Sequence, residues 1–460
     1  MSSNVKVIFQ SNSLIEDNEI VKNYVENSPS AHCSVLLEGT HYIVIKEKSS
    51  YTTEKIRSIA GGIARDLSSR KVVTALISAT DLIDEFENIE KADVLTAFVE
   101  GWELGAYQFV TYKPSAESFK TALDFEEGDD VESAVTAGKI RAESMAFSRD
   151  LMNEVSNVLN PQTFPEVLKK QFEGTDVEVN VLDKAKIEEM EMNGVLTVGR
   201  GSQYDPSFVE LVYKGDETKP LVALVGKGVT FDTGGISLKS GRDLSDMRMD
   251  MGGAAAVAGA MTLLAKSEAK VNVVVLIPMV ENAPDNTSVY PGEVISYKNG
   301  KTVQVGNTDA EGRLILADAL IRAGELNAEY IINIATLTGA VVNALGTELG
   351  GVFGDEELAA EIKKIGDQNG DYVWPMPLVE AYDSSLDSDY ADMNNISSLS
   401  SAGSITAGLF LRRFVPENSK WLHVDMAGVM EKNKASGYYA KSATGYGARL
   451  LADFTTFVSK

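Results

Sequence analysis

Apolar positions change their spacing near residue 135, and the chain reads as two regions. Before that point short β-like runs (Val35 to Leu37, Tyr42 to Ile45, Val72 to Ile77, Phe109 to Tyr112) alternate with stretches of helical period over Glu54 to Asp66 and Ala92 to Ala106. The alternation predicts a small α/β domain over residues 1–135. Within it, the acidic run Asp124-Phe125-Glu126-Glu127-Gly128-Asp129-Asp130 reads as a solvated loop. Helical period returns from Ser133 to Leu151 and Asn160-Pro161 interrupts it, so a connecting helix is expected over 136–159.

Beyond residue 160 the strands lose their alternation: Leu221 to Val225, Val271 to Ile277, Tyr330 to Ile334 and Trp421 to Met426 are almost wholly apolar. Helical segments separate them, among them the small-residue stretch Ala254 to Leu264. A strand covered on both faces has no polar face to show, so these runs predict a buried sheet in a larger α/β domain over residues 160–460. A chain of 460 residues exceeds one ordinary core and suits two domains.

Charge narrows the function. Lys plus Arg number 42 against 67 Asp plus Glu, a formal net charge of −25, which opposes binding to nucleic acid or an anionic membrane. No apolar run reaches the ~18 to 20 residues of a membrane span, and the first residues lack the apolar core of a signal peptide, so a cytoplasmic protein is expected. The one cysteine, Cys33, excludes an intrachain disulfide and reads as a small buried apolar residue. The three histidines, His32, His41 and His423, show no zinc-helix spacing, and His423 reads as a core residue. Any catalytic metal must then be held by carboxylates and other oxygen or amine donors.

Candidate donors lie at three places. Asn307-Thr308-Asp309-Ala310-Glu311-Gly312-Arg313 puts two carboxylates and a guanidinium at alternate positions, which an extended backbone would aim from one face. The apolar run from Leu314 to Ile321 follows, so the motif is expected at a strand-to-helix junction, where α/β proteins place ligands. The glycine-rich stretch Val225 to Lys239 contributes Lys227, Asp232 and Lys239. It is not a phosphate-binding loop, because Leu221 occupies the required glycine position and Gly228 replaces the magnesium-binding hydroxyl. Asp250, before the Ala254 helix, is either a helix cap or a further ligand. Lysine ligates only when neutral, a state that burial beside cations favours. Four carboxylates and one amine without histidine suit two small divalent cations ~3.5 to 4 Å apart.

These motifs, with Ala335-Thr336-Leu337-Thr338-Gly339-Ala340, Ala402 to Gly408 and Ala443 to Gly447, resemble the cytosolic leucyl aminopeptidases, the M17 metallopeptidases, from about Asn160 to the carboxyl terminus. The resemblance implies a small N-terminal α/β domain and a larger C-terminal α/β catalytic domain with a central mixed sheet flanked by helices. It implies an enzyme that releases leucine-like amino-terminal residues from peptides by water attack, with two divalent ions, Mn2+ or Zn2+, and a homohexameric assembly. By similarity Asp232 and Glu311 bridge the ions, Lys227 and Asp250 complete the tighter site, and Asp309 completes the exchangeable one. Lys239 and Arg313 are then catalytic cations, Arg313 holding a bicarbonate that accepts the water proton. Met247, Thr336, Gly339, Ala427 and Met430 would line the first side-chain pocket. Gly306 and the stretch from Asp285 to Tyr290 depart from the usual pattern and bear on substrate preference. The competing expectations are a DNA-binding regulatory relative, disfavoured by the charge, and another two-metal hydrolase such as a phosphoesterase.

Overall fold

The computed structural model describes residues 4–46, 52–110, 112–113, 118–126, 131–241 and 243–460. The chain forms two compact units, Met1–Ala146 with Lys432–Ser442, and Phe147–Glu431 with Ala443–Lys460. The boundary falls inside the helix Glu132–Asn153, which ends at Asn153 rather than 159. The expected continuous block 160–460 is also interrupted, because Lys432–Ser442 packs within the first unit. Tyr438 is fully buried there, and a Cβ on Gly61 would lie 2.5 Å from its Cα, so only glycine admits that strap.

The first unit has a five-stranded sheet in the order His32–Leu37, Thr40–Ile45, Asn4–Phe9, Thr74–Ile77, Ala122–Phe125. The strand expected over Phe109 to Tyr112 is not one among its described residues, and residue 111 lies outside them. The fifth strand instead occupies the start of the acidic run read as a loop. Thr121 brings it there: its amide donates to Ser68 Oγ at 3.1 Å, and its carbonyl accepts from Trp102 Nε1 at 3.0 Å. Carboxylates on an edge strand can stay in water and discourage further pairing. Residues 127–130 lie outside the described residues. Helices Thr53–Ser69 and Lys91–Gly105 pack backbone to backbone, since a Cβ on Gly105 would stand 2.1 Å from Gly61 O.

The second unit is built on a mixed sheet flanked by helices. Its order is Val373–Pro375, Gly350–Gly354, Lys420–Asp425, Tyr330–Ala335, Leu221–Gly226, Asn272–Asn282, Ser207–Lys214, Val177–Leu182. The four strands from Lys420–Asp425 to Asn272–Asn282 run parallel, and antiparallel neighbours flank them. Leu221–Gly226 and Tyr330–Ala335 are buried at every position after the first, which explains their unbroken apolar sequences. Gly252–Lys266 packs tightly over them: a Cβ on Gly253 would meet Ile334 O at 2.2 Å. The carboxyl ends of the four parallel strands deliver Asp425, Ala335, Gly226 and Asn282 to one edge. A smaller three-stranded sheet, Val294–Ser296, Thr302–Gln304 and Met393–Asn394, carries the chain into the Asn307 motif. Among the described residues no helix is long and apolar enough to cross a membrane.

Candidate metal centre

Lys227 leaves the end of strand Leu221–Gly226 and is almost fully buried. Its Nζ lies 2.7 Å from Asp250 Oδ2 and 2.9 Å from Glu311 Oε1, and donates to Thr336 O at 3.0 Å. The stem passes so close to the start of helix Gly312–Glu325 that a Cβ on Gly312 would stand 2.6 Å from Lys227 Cε. Asp232 ends the short strand Gly228–Asp232, where a helix would follow in a phosphate-binding loop. Gly234 and Gly235 then take φ of +89° and +63°, left-handed values open to glycine, and turn the chain back. That return places Lys239 Nζ 2.8 Å from Asp232 Oδ2 and 2.5 Å from Asp309 Oδ1.

Asp232, Asp309 and Glu311 each offer a carboxylate oxygen within 4.8 Å of the others. Asp250 is not the N-cap of helix Gly252–Lys266: Met251 stands at that position, and Asp250 Oδ1 accepts from Thr336 Oγ1 at 2.8 Å. The extended reading of Asp309 to Arg313 is overturned. Thr308 and Asp309 form a turn, Glu311 is right-handed at φ −75° and ψ −36°, and Arg313 already lies in helix Gly312–Glu325. The strand before the motif, Thr302–Gln304, belongs to the small sheet and not the central one. Asp309 and Glu311 therefore reach one cluster from different backbone settings, Asp309 beside Lys239 and Glu311 beside Lys227, while Arg313 Nη1 donates to Asn395 O at 2.8 Å.

Among the described residues four carboxylates converge here with two ammonium groups between them. Burial pushes Glu311 up to about 8, reinforced by Asp232 and opposed by Lys227. Burial also raises Asp250 to about 6, and moves Asp309 the same way. Burial works against the charged form of Lys227, yet Asp250, Glu311 and Asp232 hold it protonated beyond its ordinary range. Both directions express one condition, a pocket short of positive charge. Glu311 Oε2 is buried with no hydrogen-bond partner, a group that costs about 1–3 kcal/mol or more unless something cationic meets it. The donor set therefore fits divalent cations, whose charge would supply what the cluster lacks. Arg313, whose Nε is also buried without a partner, is lowered to about 10 by burial, against the charges of Glu311 and Asp425.

Sequence reasoning missed three organising residues. Asn282 Nδ2 donates to Asp232 Oδ1 at 2.8 Å and to Thr308 O at 3.1 Å. Asn395 holds the Asn307 loop by both ends of its amide. Asp425 Oδ1 accepts from the amides of Leu337 and Ala427 at 3.2 and 3.3 Å, while Oδ2 accepts from Thr338 Oγ1 at 2.6 Å. Asp425 thus ties together the segments bearing Thr336, Gly339 and Ala427. A polar residue ending an apolar strand was the available signal for Asn282 and Asp425. Met247 lies in the 3-10 helix Ser245–Met249 and is buried, and Met430 is half-buried. A Cβ on Gly339 would meet nothing within 4 Å, so open space adjoins that glycine. His423 is buried, stacks on Phe353 and Trp421, faces Asn333 Nδ2 at 2.7 Å, and burial drives it down to about 3. It is a neutral core residue.

The sequence profile of the cytosol aminopeptidase family, catalytic domain, matches residues 146–452, and that of the family's N-terminal domain matches 46–115. The chain belongs to the cytosol aminopeptidase family. Proteins described as "Probable cytosol aminopeptidase" from Rickettsia felis and Rickettsia bellii are each 39% identical to it, over 92% of this chain and 86% of theirs. A solved structure described as "Bottromycin maturation enzyme BotP in complex with Mn" superposes with a TM-score of 0.91 at 28% identity, covering 100% of both chains. The family membership accounts for the order of the motifs, and the geometry above accounts for why each residue type stands where it does.

Proposed function

We propose that this aminopeptidase is dinuclear, with Lys227, Asp232, Asp250, Asp309 and Glu311 as ligands, and that it releases leucine-like amino-terminal residues from peptides. The observation that carries the reading is the buried, cation-deficient cluster with its unpartnered Glu311 Oε2. Two ions, Mn2+ or Zn2+, would acidify a water, polarise the scissile carbonyl and take the free α-amine. Lys239, less buried than Lys227 and outside the proposed ligand set, donates to the oxyanion. Arg313 presents a fork suited to bicarbonate, which would accept the water proton. The complex of the solved relative BotP with Mn supports a divalent ion here. Cytoplasmic location follows the relatives' names, and a homohexamer acting on peptides, without nucleic acid or membrane, completes the reading.

Hydrolysis of leucyl-p-nitroanilide is expected to vanish on chelation and return with Mn2+, Zn2+ or Co2+. Folded protein that stays inactive with every metal would refute the assignment. The pocket is tested separately at Gly339, whose neighbouring space admits a side chain. Gly339→Leu should cut kcat/KM for leucyl substrates roughly 10-fold or more relative to alanyl ones, the scale of a methylene or two of pocket volume. An unchanged leucyl-to-alanyl ratio would remove Gly339 from the pocket.

A further inference from the structure

We propose that Asn395 is a positioning residue for the loop that carries Asp309, and that its amide sets occupancy of the Asp309 cation position; this rests on the two-metal reading. Asn395 is fully buried and follows strand Met393–Asn394, which pairs in parallel with Thr302–Gln304. Its backbone amide is fixed to Gln304 O at 3.0 Å. The side-chain amide has two acceptor and two donor positions, and all are spent on one loop. Oδ1 accepts from Gly306 N at 2.8 Å and Asn307 N at 3.2 Å. Nδ2 donates to Asn307 O at 2.7 Å and Ala310 O at 3.2 Å. The loop between Gln304 and Gly312 is neither strand nor helix, so these bonds replace the ones a regular element would supply. Asn307 Oδ1 relays the constraint by accepting from Asp309 N at 2.8 Å.

Gly306 belongs to the same arrangement. A Cβ there would lie 2.4 Å from Asn394 Oδ1, so the glycine lets the two segments meet.

The other ligands are held differently. Glu311 is fixed by its helix, its carbonyl accepting from Leu314 N at 2.9 Å and Ile315 N at 3.2 Å. Lys227 and Asp250 follow the central strand Leu221–Gly226 and the 3-10 helix Ser245–Met249, and meet at Thr336. Loss of the Asn395 amide therefore acts on one cation position and spares the other. A residue that merely supported the fold would affect both.

The test is calorimetric titration of metal-free wild type, Asn395→Ala and Asn395→Asp with Mn2+, alongside thermal unfolding of each. Asparagine and aspartate have the same shape, but the carboxylate would face the carbonyls of Asn307 and Ala310 with oxygen instead of N–H, so the second variant removes the donors without opening a cavity. Expected are two sites in the wild type, and in both variants one site at wild-type affinity with the other weakened roughly 10–100-fold. Two unchanged sites in either folded variant, or equal weakening of both, would overturn the role of Asn395 alone. A wild type that takes up fewer than two ions would overturn the two-metal reading and this inference with it.

Discussion

Glu311→Gln is expected to abolish turnover, by on the order of 10³-fold or more in kcat, and to strip both metals while leaving the fold intact. The magnitude follows from several kcal/mol of cation-derived transition-state stabilisation, each 1.36 kcal/mol being tenfold in rate. Glutamine preserves the shape but offers one oxygen and a neutral group where the cluster needs an anion. Glu311 Oε1 already faces the Lys227 ammonium at 2.9 Å, and Oε2 is the buried atom without a partner. In the absence of metal the change removes a carboxylate that burial and Asp232 push up to about 8. Metal-free Glu311→Gln should therefore unfold no earlier than the metal-free wild type. Metal analysis and a melting curve on the same sample check both halves. Retention of two ions by an inactive variant would move Glu311 out of the coordination set.

Lys239→Ala should lose turnover and keep its metal. A single donor aimed at a developing oxyanion contributes about 10²–10³ in kcat. Without cations, Lys239 pairs with Asp232 at 2.8 Å and with Asp309 at 2.5 Å. Burial opposes its charge, but those carboxylates hold it protonated above its ordinary range. An ammonium in that position competes with a divalent ion for the same oxygens, so its removal should leave Mn2+ affinity equal or higher. The expected signature is a kcat loss with undiminished metal uptake. Release of metal would place Lys239 within the coordination sphere and contradict its assigned role.

Much of this site was legible because its charged residues interrupt glycine-rich or apolar stretches that leave them no ordinary surface role. Lys227 follows an unbroken apolar strand, and Asp250 precedes a helix of small residues. The central strands were legible for the same reason, since burial on both faces erases alternation. The Ala122–Phe125 strand was not, because an edge strand can carry carboxylates, and what fixes it is the distant pair Ser68 and Trp102 acting on Thr121. Alternation in Asp309 to Arg313 suggested an extended backbone, yet the bonds that decide its path come from Asn395, far along the chain. Nothing local in a lone asparagine says which backbone groups it will reach. The strap Lys432–Ser442 was hidden in the same way, its fit depending on the missing Cβ of Gly61.

The central claim is that the buried carboxylate cluster is a site for two cations. Counting the Mn2+ taken up by exhaustively chelated wild-type protein, at saturation and per chain, tests it most directly. Two ions per chain are predicted, whereas one ion or none in folded protein would contradict the claim.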